Sequence, residues 1–281
     1  MITFPCAKIN LGLNVVTERS DGYHDIETIF YPIPFTDVLE VKSMSDEFPS
    51  EIGCDLKVTG NIIACNENDN LVVKAYQLLA EDHRMPRIYA HLYKRIPAQA
   101  GLGGGSSDGA FMIRLLCERN RLNIGNTEME HYAARLGADC AFFIMAAPSF
   151  ATGIGNQLIP TDASKGNLNG YFILIIKPKV MVSTCDAYAK ITPHQPQKSC
   201  RTIVNQPINT WKDELINDFE EPVFAQYPEL AAIKEKLYQS GAVYVQMSGS
   251  GSAIYGIFRK DPASLKVVFK EDFIWSGKIY G

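Results

Sequence analysis

The chain has 281 residues, 46% hydrophobic and 21% charged, enough to bury a core and ordinary for a globular protein, which excludes a disordered, fibrous or membrane-embedded chain. A formal net charge of -4 gives no broad attraction to nucleic acid, so a phosphate-bearing ligand has to be held locally. The seven cysteines are odd in number and include no C-x-x-C pair, which argues against a disulfide framework or a zinc site and for reduced thiols.

The first residues, MITFPCAKINLGL, carry no basic segment ahead of an apolar core, and a cytoplasmic, unprocessed chain is expected. Over residues 7–16, Ile9, Leu11, Leu13 and Val15 alternate with Lys8, Asn10, Gly12 and Asn14. That is the period of a strand with one buried face, and it puts Lys8 and Asn10 together on the other. Ser20, Asp21 and Gly22 make a turn into a second extended segment, residues 26–33, so the two form an antiparallel pair with Tyr23 and His24 at the junction. Helical spacing of Leu71, Ala75, Leu78 and Leu79 predicts a helix over 70–81, with Asn68 or Asp69 as its N-cap. Residues 88–96 alternate again as a strand, and from Ser107 the residues Phe111, Met112, Leu115 and Leu116 mark a helix. Thr127 and Glu130 have capping-box spacing for a further helix that stops at Gly137, just before Asp139. The longest apolar stretch, 141–147, is far too short to span a bilayer. After Gly155 the texture changes to an apolar strand, 171–176, and a Pro-rich polar stretch, 192–207, read as a loop or insert. A helix follows over 228–239, with Pro228 at its start and Gly241 at its stop, and then strands over 242–247 and 252–258. Two domains are expected, residues 1–155 and 156–281.

The strongest motif is the loop between the strand 88–96 and the helix after it, IPAQAGLGGGSSDGA. Gly101, Gly103, Gly104 and Gly105 leave backbone amides free to approach an anion, and the following helix N-terminus adds partial positive charge, so several phosphate charges can be held without a basic patch. A P-loop is excluded, since no lysine follows the glycines before Arg114. A dinucleotide fingerprint fits poorly, with Ser106 at its last glycine. The bland alternative is a tight turn with no ligand. A second cluster, Ser248-Gly249-Ser250-Gly251, lies between two predicted strands, where a hairpin turn explains it unaided.

Together, Pro5-Cys6-Ala7-Lys8-Ile9-Asn10-Leu11, Arg19-Ser20-Asp21-Gly22-Tyr23-His24, residues 101–108, Gly137-Ala138-Asp139 and Ser248-Gly249-Ser250-Gly251 resemble the GHMP kinase family essentially end to end. Within it they resemble a branch acting on a cytidine diphosphate-linked methylerythritol. The resemblance implies an α+β two-domain fold. An N-terminal nucleotide-binding α/β domain is joined to a smaller, ferredoxin-like α+β C-terminal domain that binds substrate, with the active site in the cleft between them. It implies a phosphotransferase using ATP and Mg2+, with Asp139 as general base at the reacting hydroxyl and Lys8 supplying positive charge there. Read from the sequence alone, Lys8 is an exposed strand lysine and Asp139 a helix cap.

By the same resemblance ATP is held by Pro97, Ala98, Gln99, Ala100, Gly101, Leu102, Gly103, Gly104, Gly105, Ser106, Ser107 and Asp108, with Asn70 and Leu71 near the nucleoside. Asn10, Tyr23, His24, Phe30, Thr184, Tyr188 and Gly249 line the substrate pocket, where an aromatic pair sandwiches the cytosine ring. Two departures stand out. Ala98 and Gln99 replace the usual Met-Gly pair. Gly104 and Gly105 fill the places where several relatives bind Mg2+ through a serine, which leaves Ser106 and Ser107 as candidates, with ATP and water as the main holders. Neither nucleic acid nor a membrane is a partner. Another GHMP kinase, acting on mevalonate, homoserine or a sugar, and a non-catalytic metabolite sensor are the competing readings.

Overall fold

The computed structural model describes residues 1–45, 52–61, 66–161 and 168–280; Cys65 lies outside the described residues. The chain separates into two units, each drawn from several stretches of sequence: residues 1–7, 36–98 and 103–146 form unit 1, and residues 8–35, 99–102 and 147–281 form unit 2.

In unit 1 a four-stranded sheet runs in the order β1 (Ile2–Thr3), β4 (Val38–Ser43), β6 (Ile88–Lys94), β5 (Cys54–Gly60). β6 pairs antiparallel with β4 and parallel with β5. Its alternation buries Ile88, Ala90, Leu92 and, in the same phase, Lys94. Helix α1 (Leu71–Asp82) buries Val72, Val73, Ala75, Tyr76, Leu78 and Leu79, the stripe its spacing predicts. Its N-cap is Asn70, which has extended backbone and accepts a hydrogen bond from the Val72 N–H at 3.0 Å. The expected caps, Asn68 and Asp69, lie instead in a 3₁₀ turn, Glu67–Asp69.

Helix α2 (Gly104–Asn120) starts earlier than the predicted Ser107, so the last glycines of the run are helical. Helix α3 (Asn126–Leu136) enters from an extended Gly125 and stops at Gly137. Thr127 is already inside its first turn, so the expected capping box is not formed. Helix α4 (Cys140–Met145) follows and buries all but its last residue.

Unit 2 holds two sheets. β2 (Cys6–Glu18) and β3 (His24–Thr36), with β7 (Ser149–Thr152) and β8 (Gln157–Pro160), form one in the order β2-β3-β7-β8. The turn between β2 and β3 closes through Arg19 N–H to Tyr23 O at 2.8 Å and uses a left-handed Gly22. The other sheet is antiparallel throughout, in the order β10 (Tyr244–Met247), β11 (Ile254–Phe258), β9 (Phe172–Lys177), β12 (Phe273–Lys278). The helix Pro228–Gln239 packs Leu230 and Leu237 into a core with Leu174, Ile176, Val245 and Ile254.

β2 departs from the half-buried strand that its alternation predicts. Lys8, Asn10 and Asn14 are 3%, 1% and 3% exposed, because the second face is covered as well. The Lys8 N–H donates to Leu102 O at 3.0 Å, and the space beside Gly12 is filled by Cys200 and Leu215. The stretch 192–207 includes a helical turn, Cys200–Ile203, and is fastened to this hairpin by His194 N–H to Val15 O and Cys200 N–H to the Glu27 carboxylate at 2.6 Å. No helix among the described residues is long and apolar enough to cross a membrane.

Candidate active site

The residues singled out in the sequence fall into both units. In unit 2, Lys8 Nζ donates to Asn10 Oδ1 at 2.6 Å and lies 5.0 Å from the centre of the Phe30 ring. Asn10 in turn donates through Nδ2 to Thr28 Oγ1 at 3.0 Å. An ammonium taken from water has to be hydrogen-bonded or paired, and this strand pair supplies part of that environment with an amide oxygen and an aromatic face.

The loop 99–102 and the turn 248–251 are built against each other. Ser248 Oγ donates to Gly101 O at 2.8 Å, and Ala253 N–H to Ala100 O at 3.2 Å. Asn217 clamps the turn by donating to Met247 O and Gly249 O at 2.8 and 2.9 Å. The hairpin turn read from the sequence is therefore present, and it also serves to hold the glycine loop.

A Cβ on Gly101, which has φ +72°, would stand 1.8 Å from Ser248 O. Gly101→Ala is therefore expected to cost at least about 2 kcal/mol in stability. Gly105→Ala, whose Cβ meets nothing within 4 Å, should stay within about 0.5 kcal/mol of wild type. Urea denaturation of both variants checks the contrast. Gln99, at one of the two departures from the family pattern, has φ 47°, a left-handed conformation that costs a non-glycine residue about 1 kcal/mol.

Of the expected substrate residues, His24 and Tyr188 meet as a stacked pair with centroids 4.8 Å apart and planes 22° apart. That spacing leaves no slot for a third ring between these two. Tyr188 is also braced edge-on by Phe219 at 4.8 Å. Thr184 Oγ1 lies 3.0 Å from Ser250 Oγ, and Gly249 approaches both Asn10 Oδ1 and Gly101. Tyr23 is 61% exposed, while Asp21 accepts its N–H at 3.1 Å.

In unit 1, α2 starts from a left-handed Gly103 with no side-chain cap, which leaves first-turn amides available to an anion. Ser107 Oγ and Asp108 Oδ1 are buried and have no hydrogen-bond partner, while space is open beside Gly105. The unpartnered Ser107 hydroxyl and the open helix start can both donate to a phosphate group. Asp108 Oδ2 accepts from Lys94 Nζ at 2.6 Å, and Lys94 also pairs with Asp37. Burial pushes the Asp108 carboxyl up to about 8, with Lys94 opposing and Asp37 reinforcing the shift.

Asp139 is half-buried at the position before α4, with helical backbone (φ -78°, ψ -13°) and no side-chain cap bond, so the helix cap that the sequence suggested is not formed. Asn70 does cap α1, and Leu71 packs against Gly109 of α2. Among the described residues no group of three or more His, Cys, Asp and Glu side chains is placed to hold a metal ion.

Sequence reasoning passed over Asp37, Lys94, Thr28, Asn217 and Gln246. Lys94 had a visible sign, a charge in the apolar phase of β6. For Asp37 and Asn217 no local pattern exists.

The family model "GHMP kinases N terminal domain" matches residues 70–147, and "GHMP kinases C terminal" matches residues 204–270. A protein of Bacteroides fragilis named 4-diphosphocytidyl-2-C-methyl-D-erythritol kinase is 47% identical over 99% of this chain and 100% of its own length. One of the same name from Bacteroides thetaiotaomicron is 52% identical over 93% of each chain. Among solved structures, a 4-(cytidine 5'-diphospho)-2C-methyl-D-erythritol kinase superposes over 100% of both chains with a TM-score of 0.84 and 28% identity. The mevalonate kinase of Methanococcus jannaschii, at 14% identity and a TM-score of 0.70 over 100% of this chain and 98% of its own, shares the fold.

Proposed function

Since the chain belongs to the GHMP kinase family, we propose that it transfers the γ-phosphoryl group of ATP to the 2-hydroxyl of 4-diphosphocytidyl-2-C-methyl-D-erythritol, giving ADP and the 2-phosphate, in the cytoplasm, as a step of non-mevalonate isoprenoid precursor synthesis. The structural observation that carries the reading is the buried ammonium of Lys8, held by Asn10 over the face of Phe30, in a chain alike from end to end to relatives of that name.

The acceptor alcohol is a poor nucleophile until its proton is taken, and Asp139 accepts it as general base. Lys8 offsets charge on the phosphoryl group in transfer and is fixed before substrate arrives, so no reorganisation is needed during the reaction. The glycine loop and the amides that open α2 hold the ATP phosphates, with the Ser106 and Ser107 hydroxyls beside them. Mg2+ bound to ATP would supply Lewis-acid charge on the phosphates, and the Ser106 and Ser107 hydroxyls would be this chain's candidates to hold it together with ATP and water. The His24–Tyr188 pair offers an outer aromatic face to the cytosine, and Asn10, Phe30, Thr184 and Gly249 bound the rest of the substrate.

The test is a substrate panel with ADP release as readout. Turnover with the cytidine diphosphate-linked substrate, and none above background with mevalonate, homoserine or hexoses, is expected. Turnover of any of the latter in its place would overturn the assignment.

A further inference from the structure

Resting on Lys8 as the charge at the reacting hydroxyl, we propose that Thr28 is a positioning residue for the phosphoryl transfer: its hydroxyl fixes which end of the Asn10 amide faces Lys8, and so where the ammonium sits.

An amide side chain has a donor end and an acceptor end, and Lys8 can only donate. The ammonium is therefore held by Asn10 only while Oδ1 points at it, which requires an acceptor for Nδ2 on the other side. Thr28 Oγ1 is that acceptor at 3.0 Å. A hydroxyl could equally act as donor there, but the Thr28 proton is committed to Gly12 O. The direction of the whole relay is thus set at a backbone carbonyl.

Gly12 cannot drift. Its N–H donates to Gln246 Oε1 at 2.8 Å, and Gln246 is oriented by donating to Leu215 O at 2.9 Å. Gly12 has φ +67°, and a Cβ there would stand 2.6 Å from both Cys200 Sγ and Leu215 Cδ1. From the other side, the Tyr255 hydroxyl donates to Asn10 O at 2.7 Å. Lys8, Asn10, Thr28 and Gln246 are at most 3% exposed, so water does not replace a missing partner freely. Without the hydroxyl, Asn10 Nδ2 faces a methyl group and the amide turns to find another acceptor, taking Oδ1 away from Lys8.

Steady-state kinetics with ATP and the cytidine diphosphate-linked substrate test this on wild type, Thr28→Val, Thr28→Ala and Thr28→Ser. Thr28→Val and Thr28→Ala should each lose about tenfold or more in kcat, since small misplacements of a catalytic charge cost on that order. Both KM values should stay within about threefold, and Thr28→Ser should recover most of the rate. If the valine variant does not fold, the alanine variant carries the comparison. A wild-type kcat in either hydroxyl-free variant overturns the proposal, as does a serine variant that loses as much as alanine, which would report packing alone. A wild-type protein that turns over neither substrate overturns the kinase reading itself, a different failure from active wild type with an indifferent Thr28.

Discussion

Asp139→Asn is expected to lower kcat by about 10² to 10⁴, the usual worth of a general base, with ATP affinity within about threefold of wild type. Asparagine keeps the size and shape of the side chain and is as good an N-cap as aspartate, so a purely structural role at the start of α4 predicts almost no effect. The Asp139 side chain makes no cap bond to the helix it precedes. Single-turnover kinetics at saturating substrates, with ATP affinity measured by calorimetry, separates the two. An unchanged chemical rate would remove Asp139 as the base.

Lys94→Met is expected to cost about 3 to 5 kcal/mol of stability, a large part of what a domain of this kind possesses. Lys94 is 8% exposed and lies between Asp37, which is fully buried, and Asp108. Burial pulls its pKa down, but the Asp108 and Asp37 carboxylates outweigh that and leave it above the ordinary value. Asp37 also accepts from the Ile96 N–H at 2.8 Å, so the group ties the end of β6 to the first turns of α2, the two ends of the phosphate loop. Methionine fills the volume and removes the charge, leaving Asp37 and Asp108 buried without the ammonium that both accept from. A fall in melting temperature of roughly 10 °C is predicted, at about 2 to 4 °C per kcal/mol for a chain of this size. A shift under about 2 °C would mean that the carboxylates find other partners.

Features set by neighbouring residues were legible in the sequence. The strand β2, the alternation of β6, the apolar stripe of α1, the Pro228 start and the glycine loop are all local patterns, and each appears in the structure. The features decided by distant residues were not. The second face of β2 is covered by the 99–102 loop and by Cys200 and Leu215, so a strand that reads as half-exposed is buried on both sides and Lys8 with it. Gly101 is required because Ser248 stands against it, and no motif around residue 101 carries that information. At the start of α1 three consecutive polar residues, Asn68, Asp69 and Asn70, could all cap; the extended backbone at residue 70 decides among them. The short strands β4 and β5 went unread although each alternates locally, burying Leu39 and Val41 in one and Cys54 and Leu56 in the other. Among the candidate site residues, Lys8, Asn10 and Gly249 are motif members, whereas Phe30 came only from the family resemblance. Thr28 and Gln246, which hold them, belong to no motif.

The most direct test of the account is to incubate the purified protein with Mg-ATP and 4-diphosphocytidyl-2-C-methyl-D-erythritol and to follow the products by ³¹P NMR. One equivalent of ADP for each new phosphate monoester on the 2-hydroxyl is predicted. ATP hydrolysis without a phosphorylated product, or a phosphate at any other position, would contradict it.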